Sequence, residues 1–469
     1  MRNRNLPIIE RLEITDAGAE GMAVGRFQDM VIFVPWAVPG DIVDVRVVRK
    51  RKRFWEARLI RIIKESENRR KPWCTHFGIC GGCRWQNMDY STQLFYKAKW
   101  VNDTLLRLGK FEFPEPLPIL GSPGKVSYRN KMEFTFSNRR FLDEGENADD
   151  PEITLQALGL HLPDRFDRVL DIQHCFLQPE SSNKIRLAVK RFALEHGLVF
   201  QDLVTHHGFL RNLIIRNNQE GDYMVIMVFG EYQPEPIHLL MDFLKETFTE
   251  IKSLYYLINT KANDSFSELE PILYAGQEVI IEEMDDLKFR ISPLSFFQTN
   301  ILQTKCLYKV AMDFVELKAH EIVYDLYTGT GTIACFVAKH CQKVIGIEYV
   351  ERAIEDARMN ARMNSIENVE FLSGDVLQIM NQDFIAKYGF PDVIITDPPR
   401  SGMHPQVVKR MLDILPSRIV YISCNPATQA RDVSLLSEKY HVRKVQPIDM
   451  FPHTSHVENV MLLERKDQN

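Results

Sequence analysis

The run DLYTGTGTIA, residues 325–334, decides the fold, because its glycines turn a strand directly into a helix. Asp325 closes the apolar segment EIVYDL, and Gly329 and Gly331 permit a tight turn into a helix beginning near Ile333. Ala334 stands where a dinucleotide fingerprint carries its third glycine, so the turn alone fits many nucleotide-binding sheets. Outward from it, strand-like KVIGIE, VEFLSG, DVIITD and RIVYIS alternate with helical patterns. That alternation predicts an open, mainly parallel α/β sheet from residue 300 onward.

Ligands of such sheets sit outside the carboxyl ends of the strands, and acids collect there. Glu348 ends KVIGIE, 23 residues after Asp325, where a carboxylate can accept from ribose hydroxyls. Asp375 ends FLSGD, and Asp397 opens the turn DPPRSG. Each acid alone is equally well read as a helix cap. Together they repel a pyrophosphate and suit a cationic sulfonium. The closing stretch VRKVQPIDMFPHTSHVENVMLLER reads as two strands around a loop, with Glu458 on the loop before the last strand. It resembles the reversed last strand of the S-adenosylmethionine methyltransferase sheet. In YISCNPATQARD, Cys424 ends an apolar strand and Asn425-Pro426 stops it. A buried strand cysteine ordinarily fills space.

The rest of the 469-residue chain differs in character. No apolar run approaches the roughly 18 residues of a membrane span. The start MRNRNLPIIE lacks the apolar region of a signal peptide, so a cytoplasmic protein, soluble and monomeric, is expected. Eight cysteines in such a chain suggest metal ligands or catalysts rather than disulfides. The net charge of −5 is uneven: residues 1–72 hold 16 Lys and Arg against 10 Asp and Glu, the remainder 42 against 53. A basic module on an acidic body suits a polyanion. Short alternating strands over 7–65 predict a small barrel. The run Arg49-Lys50-Arg51-Lys52-Arg53 beside Phe54 and Trp55 suits a nucleic-acid backbone and its bases. AGAEGMAVGR, with the later VPGD, resembles the RNA-binding, OB-like TRAM domain.

WCTHFGICGGCRWQ sets Cys74, Cys80 and Cys83 at C-x5-C-x2-C, with Cys175 in DIQHCFLQ as a fourth. Four thiolates fit a structural zinc or an iron–sulfur cluster, and the spacing leaves both open. Cys306, Cys335 and Cys341 lie in helical patterns and read as core. STQLFYKAKWVNDTLLRLG predicts a helix. Strands then dominate 126–285, interrupted by helices near 180–196 and 235–249. The acidic stretch LDEGENADDPE (142–152) reads as a solvated hairpin loop.

FFQTN, DLYTGTGT, TDPPRSG, ISCNPAT and SHVENV follow one another as in RNA uracil-5-methyltransferases, and the resemblance covers nearly the whole chain. With the TRAM-like front and the cysteine loop, it is most similar to the branch that methylates 23S ribosomal RNA. The resemblance implies a multidomain α/β protein: a TRAM barrel (1–70), a central α+β domain (71–88 and 126–285) and a Rossmann-like methyltransferase domain (89–125 and 286–469). It implies S-adenosylmethionine as methyl donor and RNA as partner. Gln298, Tyr327, Gly329, Gly331, Thr332, Glu348, Asp375 and Asp397 would form the cofactor and target-base site. Cys424 would be the nucleophile and Glu458 the general base, with His453 and His456 as local rivals. The same branch carries a [4Fe-4S] cluster on the cysteine spacing. Thiolate addition to C6 of uracil makes C5 nucleophilic, which explains a cysteine freed at a strand end. Competing readings are the same reaction on tRNA, C5 transfer to cytosine, an amino-methyltransferase and a non-catalytic RNA assembly factor. The amino-methyltransferase motif ends in an aromatic residue where this chain has Arg400.

Overall fold

In the computed structural model, which describes residues 6–466 except 144, 164, 264 and 267, the alternating front closes into a five-stranded barrel. Its strands are Ile8–Ala17, Ala23–Phe27, Met30–Val34, Ile42–Lys50 and Phe54–Lys64. Leu12, Ile14, Ile32, Val34, Val43, Val45 and Val47 fill the interior, and closure leaves no unpaired edge. The Arg69–Asp41 ion pair ties the barrel to the linker, and the Trp85 indole donates to the Gly21 carbonyl at 3.2 Å.

The middle of the chain forms a seven-stranded sheet. In spatial order its strands are Ile272–Gly276, Ile251–Ile258, Tyr223–Phe229, Leu210–Asn217, Lys131–Ser137, Ala157–Leu162 and Arg165–Asp171. Only the pair 223–229 with 251–258 is parallel. Helices Glu180–Glu195 and Pro234–Thr247 contribute their apolar stripes to its core. The acidic stretch does join two antiparallel strands, paired at Thr135 and Gly159. Two strands of this sheet, 165–171 and 272–276, escape the sequence reading. RFDRVLD is too charged to look like a strand, and ILYAG is a short sheet edge.

The C-terminal sheet runs in the order 369–373, 343–348, 322–326, 393–396, 418–423, 458–465, 440–448. The first five strands are parallel, so their carboxyl ends share one edge. The strand Glu458–Arg465 inserts antiparallel beside Arg418–Ser423, as the closing stretch suggests. One correction follows: Glu458 is the first residue of that strand, paired with Ile448, and not a loop residue. The helix expected after residue 90 spans Tyr90–Thr104, capped by Asp89, and widens into a π turn at Leu105–Gly109. Among the described residues no helix is long and apolar enough to cross a membrane.

Candidate active site

The turn after Ile322–Leu326 is built as its glycines require. Gly331 sits at φ 75°, and a Cβ there would meet Phe371 at 2.7 Å and Ala357 at 2.9 Å. Gly329, at φ 56°, would meet nothing, so the backbone there faces open space a ligand can approach. Tyr327 adopts φ 64° without being glycine, a strained geometry that clusters at functional sites. Glu348 accepts from the Gly329 amide at 3.2 Å and the Val350 amide at 2.9 Å. Asp325 is fully buried; Thr328 donates to its Oδ2 while its Oδ1 has no partner. Burial, then Asp397, then Glu348 raise Asp325 to about 7. The orphaned acceptor, the open glycine backbone and the acids suit a cationic, hydroxyl-bearing ligand.

Asp375 is not at the crevice edge by its carboxylate alone: it caps the short helix Val376–Ile379 through the Leu377 amide at 2.7 Å. That acid therefore does act as a cap, and its charge also reaches Tyr327. Gln298 is half-buried, and its carbonyl accepts from the Asn130 side chain at 3.0 Å. Thr332 begins the helix Thr332–Ala338, and the Tyr308 hydroxyl lies 2.9 Å from its own. Tyr308 and Asn130 escape the sequence reading. A buried hydroxyl and a buried amide carry no local signal until their partners are known.

Cys424 follows the strand Arg418–Ser423 directly. Ser423 pairs with Asn459, which brings Cys424 to the end of the strand that Glu458 begins, close enough to feel its charge. Asn425 caps the next helix through the Ala427 amide and donates to the Arg400 carbonyl at 3.0 Å, joining the DPPRSG and CNPAT turns. Burial pushes the Cys424 thiol up to about 11, helped by the negative charges of Glu458 and Asp397 and opposed by Arg400. Glu458, only 6% exposed, is raised to about 8 by burial and then by Asp397, again opposed by Arg400. Asp397 is half-buried, and the protein packed around its carboxyl raises it to about 7. Three acidic groups and one guanidinium thus share a pocket in which each anion disfavours the next. Such shifts accompany acid–base sites. Of the rival bases, His453 is buried, engaged by Gln93 at 3.3 Å and packed edge-on to Trp73, while His456 is exposed.

The other thiols lie elsewhere. Cys74, Cys80, Cys83 and Cys175 line one cavity of about 640 Å³, along with His76, Arg129 and Phe296. All four are free thiols. Burial pushes Cys80 up to about 11 and Cys83 to about 12, and each feels the charge of the others. Asn183 clamps Cys175, accepting from its amide at 2.9 Å and donating to its carbonyl at 3.1 Å. The Gln173 amide donates to His76 Nε2 at 3.0 Å, bridging the two cysteine segments. Among the described residues no group of three or more His, Cys, Asp or Glu side chains is arranged to hold a metal ion. Cys335 and Cys341 are core residues as expected, and Cys306 is half-buried.

The model of the tRNA (Uracil-5-)-methyltransferase family matches residues 274–466, and that of the TRAM domain residues 9–60. A protein of Bacteroides thetaiotaomicron named "Uncharacterized RNA methyltransferase" is 51% identical over 450 residues, covering 95% of this chain and 99% of its own. One of the same name from Porphyromonas gingivalis is 49% identical over 466 residues, covering 97% and 100%. Among solved structures, the Pyrococcus abyssi tRNA (uracil-54, C5)-methyltransferase in complex with S-adenosyl-L-homocysteine matches with a TM-score of 0.74 and 28% identity. That match covers 97% of this chain and 99% of the other.

Proposed function

The chain belongs to the RNA uracil-5-methyltransferase family, and from that membership we propose that it methylates C5 of a uridine in 23S ribosomal RNA through a covalent cysteine adduct. It is an S-adenosylmethionine-dependent RNA methyltransferase. The observation that supports the cysteine adduct is the nearness of Cys424 to Glu458 and Asp397, whose charges act on its thiol.

S-adenosylmethionine supplies an electrophilic methyl group, and Gln298, Tyr327, Gly329, Gly331, Thr332, Glu348, Asp375 and Asp397 would bind it and frame the target base. The base leaves its stack to reach the crevice. Burial and the neighbouring negative charges hold the proton on the Cys424 thiol, so that proton must pass to water before the sulfur attacks. A cation bound beside Asp397 favours that loss, because it offsets the negative charges that hold the thiol up. The Cys424 sulfur bonds to C6, and the electron pair of the C5–C6 double bond passes toward the O4 carbonyl as an enolate. C5 would then take the methyl group, while the methyl–sulfur bond of the donor breaks and S-adenosylhomocysteine is left. Glu458 as carboxylate removes the hydrogen still on C5, the double bond re-forms, and the C6–S bond breaks to release the thiolate.

The four clustered cysteines would hold a [4Fe-4S] cluster. A cubane takes one thiolate on each of its four irons, so four free thiols lining one cavity match its ligand count. The methyl transfer uses no electron, so the cluster's part would be structural or in RNA contact. Residues 1–70 are taken as the RNA-gripping unit, 71–88 and 126–285 as the cluster-bearing unit, and 89–125 and 286–469 as the catalytic one. Transfer to a tRNA uridine is the second reading, favoured by the activity named for the Pyrococcus abyssi structure.

RNA carrying 5-fluorouridine at the target tests the mechanism. The fluorine cannot leave as a proton does, so the wild type is expected to remain covalently joined to it, whereas Cys424→Ala joins nothing and methylates nothing. An adduct formed by Cys424→Ala rejects the thiol assignment. Mapping 5-methyluridine in RNA from cells with and without the gene identifies the target, with a site lost from tRNA favouring the second reading.

A further inference from the structure

The segment 449–457 joins the last two strands and delivers Glu458, and buried contacts from distant parts of the chain hold it. Lys97, on the helix Tyr90–Thr104, and Asp449 are both completely buried and pair at 2.5 Å. Lys97 also donates to the Phe451 carbonyl at 3.0 Å. The second Asp449 oxygen accepts from the Tyr90 hydroxyl at 2.7 Å. Gln303 donates to the Asp449 carbonyl at 2.7 Å and Asn300 to that of Met450 at 2.9 Å, so the element following Gln298 grips the same segment. Farther along, His453 sits at φ 65°. Its amide donates to Gln93 at 3.0 Å, and its carbonyl accepts from the Arg84 and Trp85 amides at 2.8 and 3.0 Å. Left-handed backbone at a non-glycine residue persists where the surroundings over-determine it. A fully buried ion pair adds little net stability over a well-packed apolar pair, so its use is better sought in the arrangement it fixes.

We propose that Lys97 is a positioning residue for proton removal: through Asp449 it fixes the 449–457 segment and holds the Glu458 carboxylate where the C5 hydrogen is presented. This rests on Glu458 being the base. Cofactor binding and thiol addition depend on other elements and do not require the pair.

Lys97→Met alone strands a buried carboxylate and lowers the melting temperature. The paired variant Lys97→Met/Asp449→Leu removes both charges, and Tyr90→Phe removes the hydrogen bond to Asp449 together with the one its hydroxyl accepts from the Ser122 amide at 2.7 Å. Each is measured for melting temperature, affinity for S-adenosylmethionine, and the fraction held as a covalent adduct on ordinary uridine RNA. The paired variant is expected to melt below the wild type, because it leaves the Tyr90 hydroxyl and the Phe451 backbone without partners. It is nonetheless expected to stay folded, bind cofactor as the wild type does, release RNA about 10- to 100-fold more slowly and accumulate adduct. Tyr90→Phe shifts the same way by a smaller factor and decides alone if the paired variant does not fold. Wild-type release by the folded variants, or a change confined to melting or cofactor affinity, overturns the proposal. Glu458→Gln run in parallel separates the two readings. Its normal release rejects the base assignment, whereas normal release by the paired variant with Glu458→Gln stalled rejects Lys97 alone.

Discussion

The protein holds two thiol sites, and burial raises both, yet their neighbours differ in kind. Around Cys424 stand two carboxylates and an arginine. Around Cys80 and Cys83 stand other thiols. A nucleophile needs a partner that takes and returns protons, and Asp397 and Glu458, at about 7 and 8, lie where neutral water can exchange them. A ligand set needs only its own members, brought together and shielded. The scaffolds differ accordingly. Cys424 stands at the end of a parallel sheet, whose strand ends gather on one edge. The four clustered thiols stand on loops braced by Asn183 and His76.

The largest expected effect breaks the first site while leaving the second intact. Glu458→Gln keeps the shape and loses the base, so turnover falls by about 10²–10⁴ and enzyme–RNA adduct accumulates on ordinary uridine RNA, visible as a shifted band on a denaturing gel. Its visible absorbance stays that of the wild type. Full turnover by Glu458→Gln, with His456→Ala stalling instead, moves the base to the histidine.

The converse variant breaks the second site. Anaerobically purified protein is expected to be brown, with about four irons per chain. Cys175→Ser is expected to bleach it, while the Cys424 thiol still joins 5-fluorouridine RNA at high concentration. Colourless wild-type protein with one zinc rejects the cluster.

A third region sharpens the contrast, because it touches neither thiol site. Lys50 lies 3.9 Å from the centre of the Trp55 ring, at the end of the basic run. Replacing Arg49, Lys50, Arg51, Lys52 and Arg53 by Gln is expected to weaken RNA binding and flatten the slope of log K against log[salt]. Each lost phosphate contact changes that slope by about 0.7–0.9. An unchanged slope removes the barrel from the RNA interface.

The smallest effect is thermodynamic. Glu458 is at about 8 in the folded protein, against an ordinary value of 4.5, so between those pH values the folded state binds the extra proton. Stability therefore falls as pH rises through that window. Glu458→Gln is expected to melt higher than wild type at pH 8, by on the order of 2 °C, with the difference vanishing below about pH 4. A gap that widens toward acid contradicts the raised carboxyl.

By itself the sequence determined the parts whose code is local. Two-residue alternation marked the barrel, and the change to alternating strand and helix marked the C-terminal sheet. Gly329 and Gly331 marked the ligand turn, and Asn425-Pro426 marked where the strand releases Cys424. Strand ends in a parallel sheet share one edge, so Asp325, Glu348 and Asp397 were legible as neighbours from their positions alone. Only the tertiary structure decided which side chains face one another. Cys424 feels the charge of Glu458 because an antiparallel strand returns beside it in one register out of several, and a shift of one residue would turn the carboxylate to the other face of the sheet. Cys175 reaches the cysteine loop through a hydrogen-bonded bridge at His76, 97 residues before Gln173. Lys97 and Asp449 lie 352 residues apart, and neither carries a local signal that it is buried. Local periodicity specifies which face a residue takes; its partner is set by packing between segments that the chain brings together only on folding.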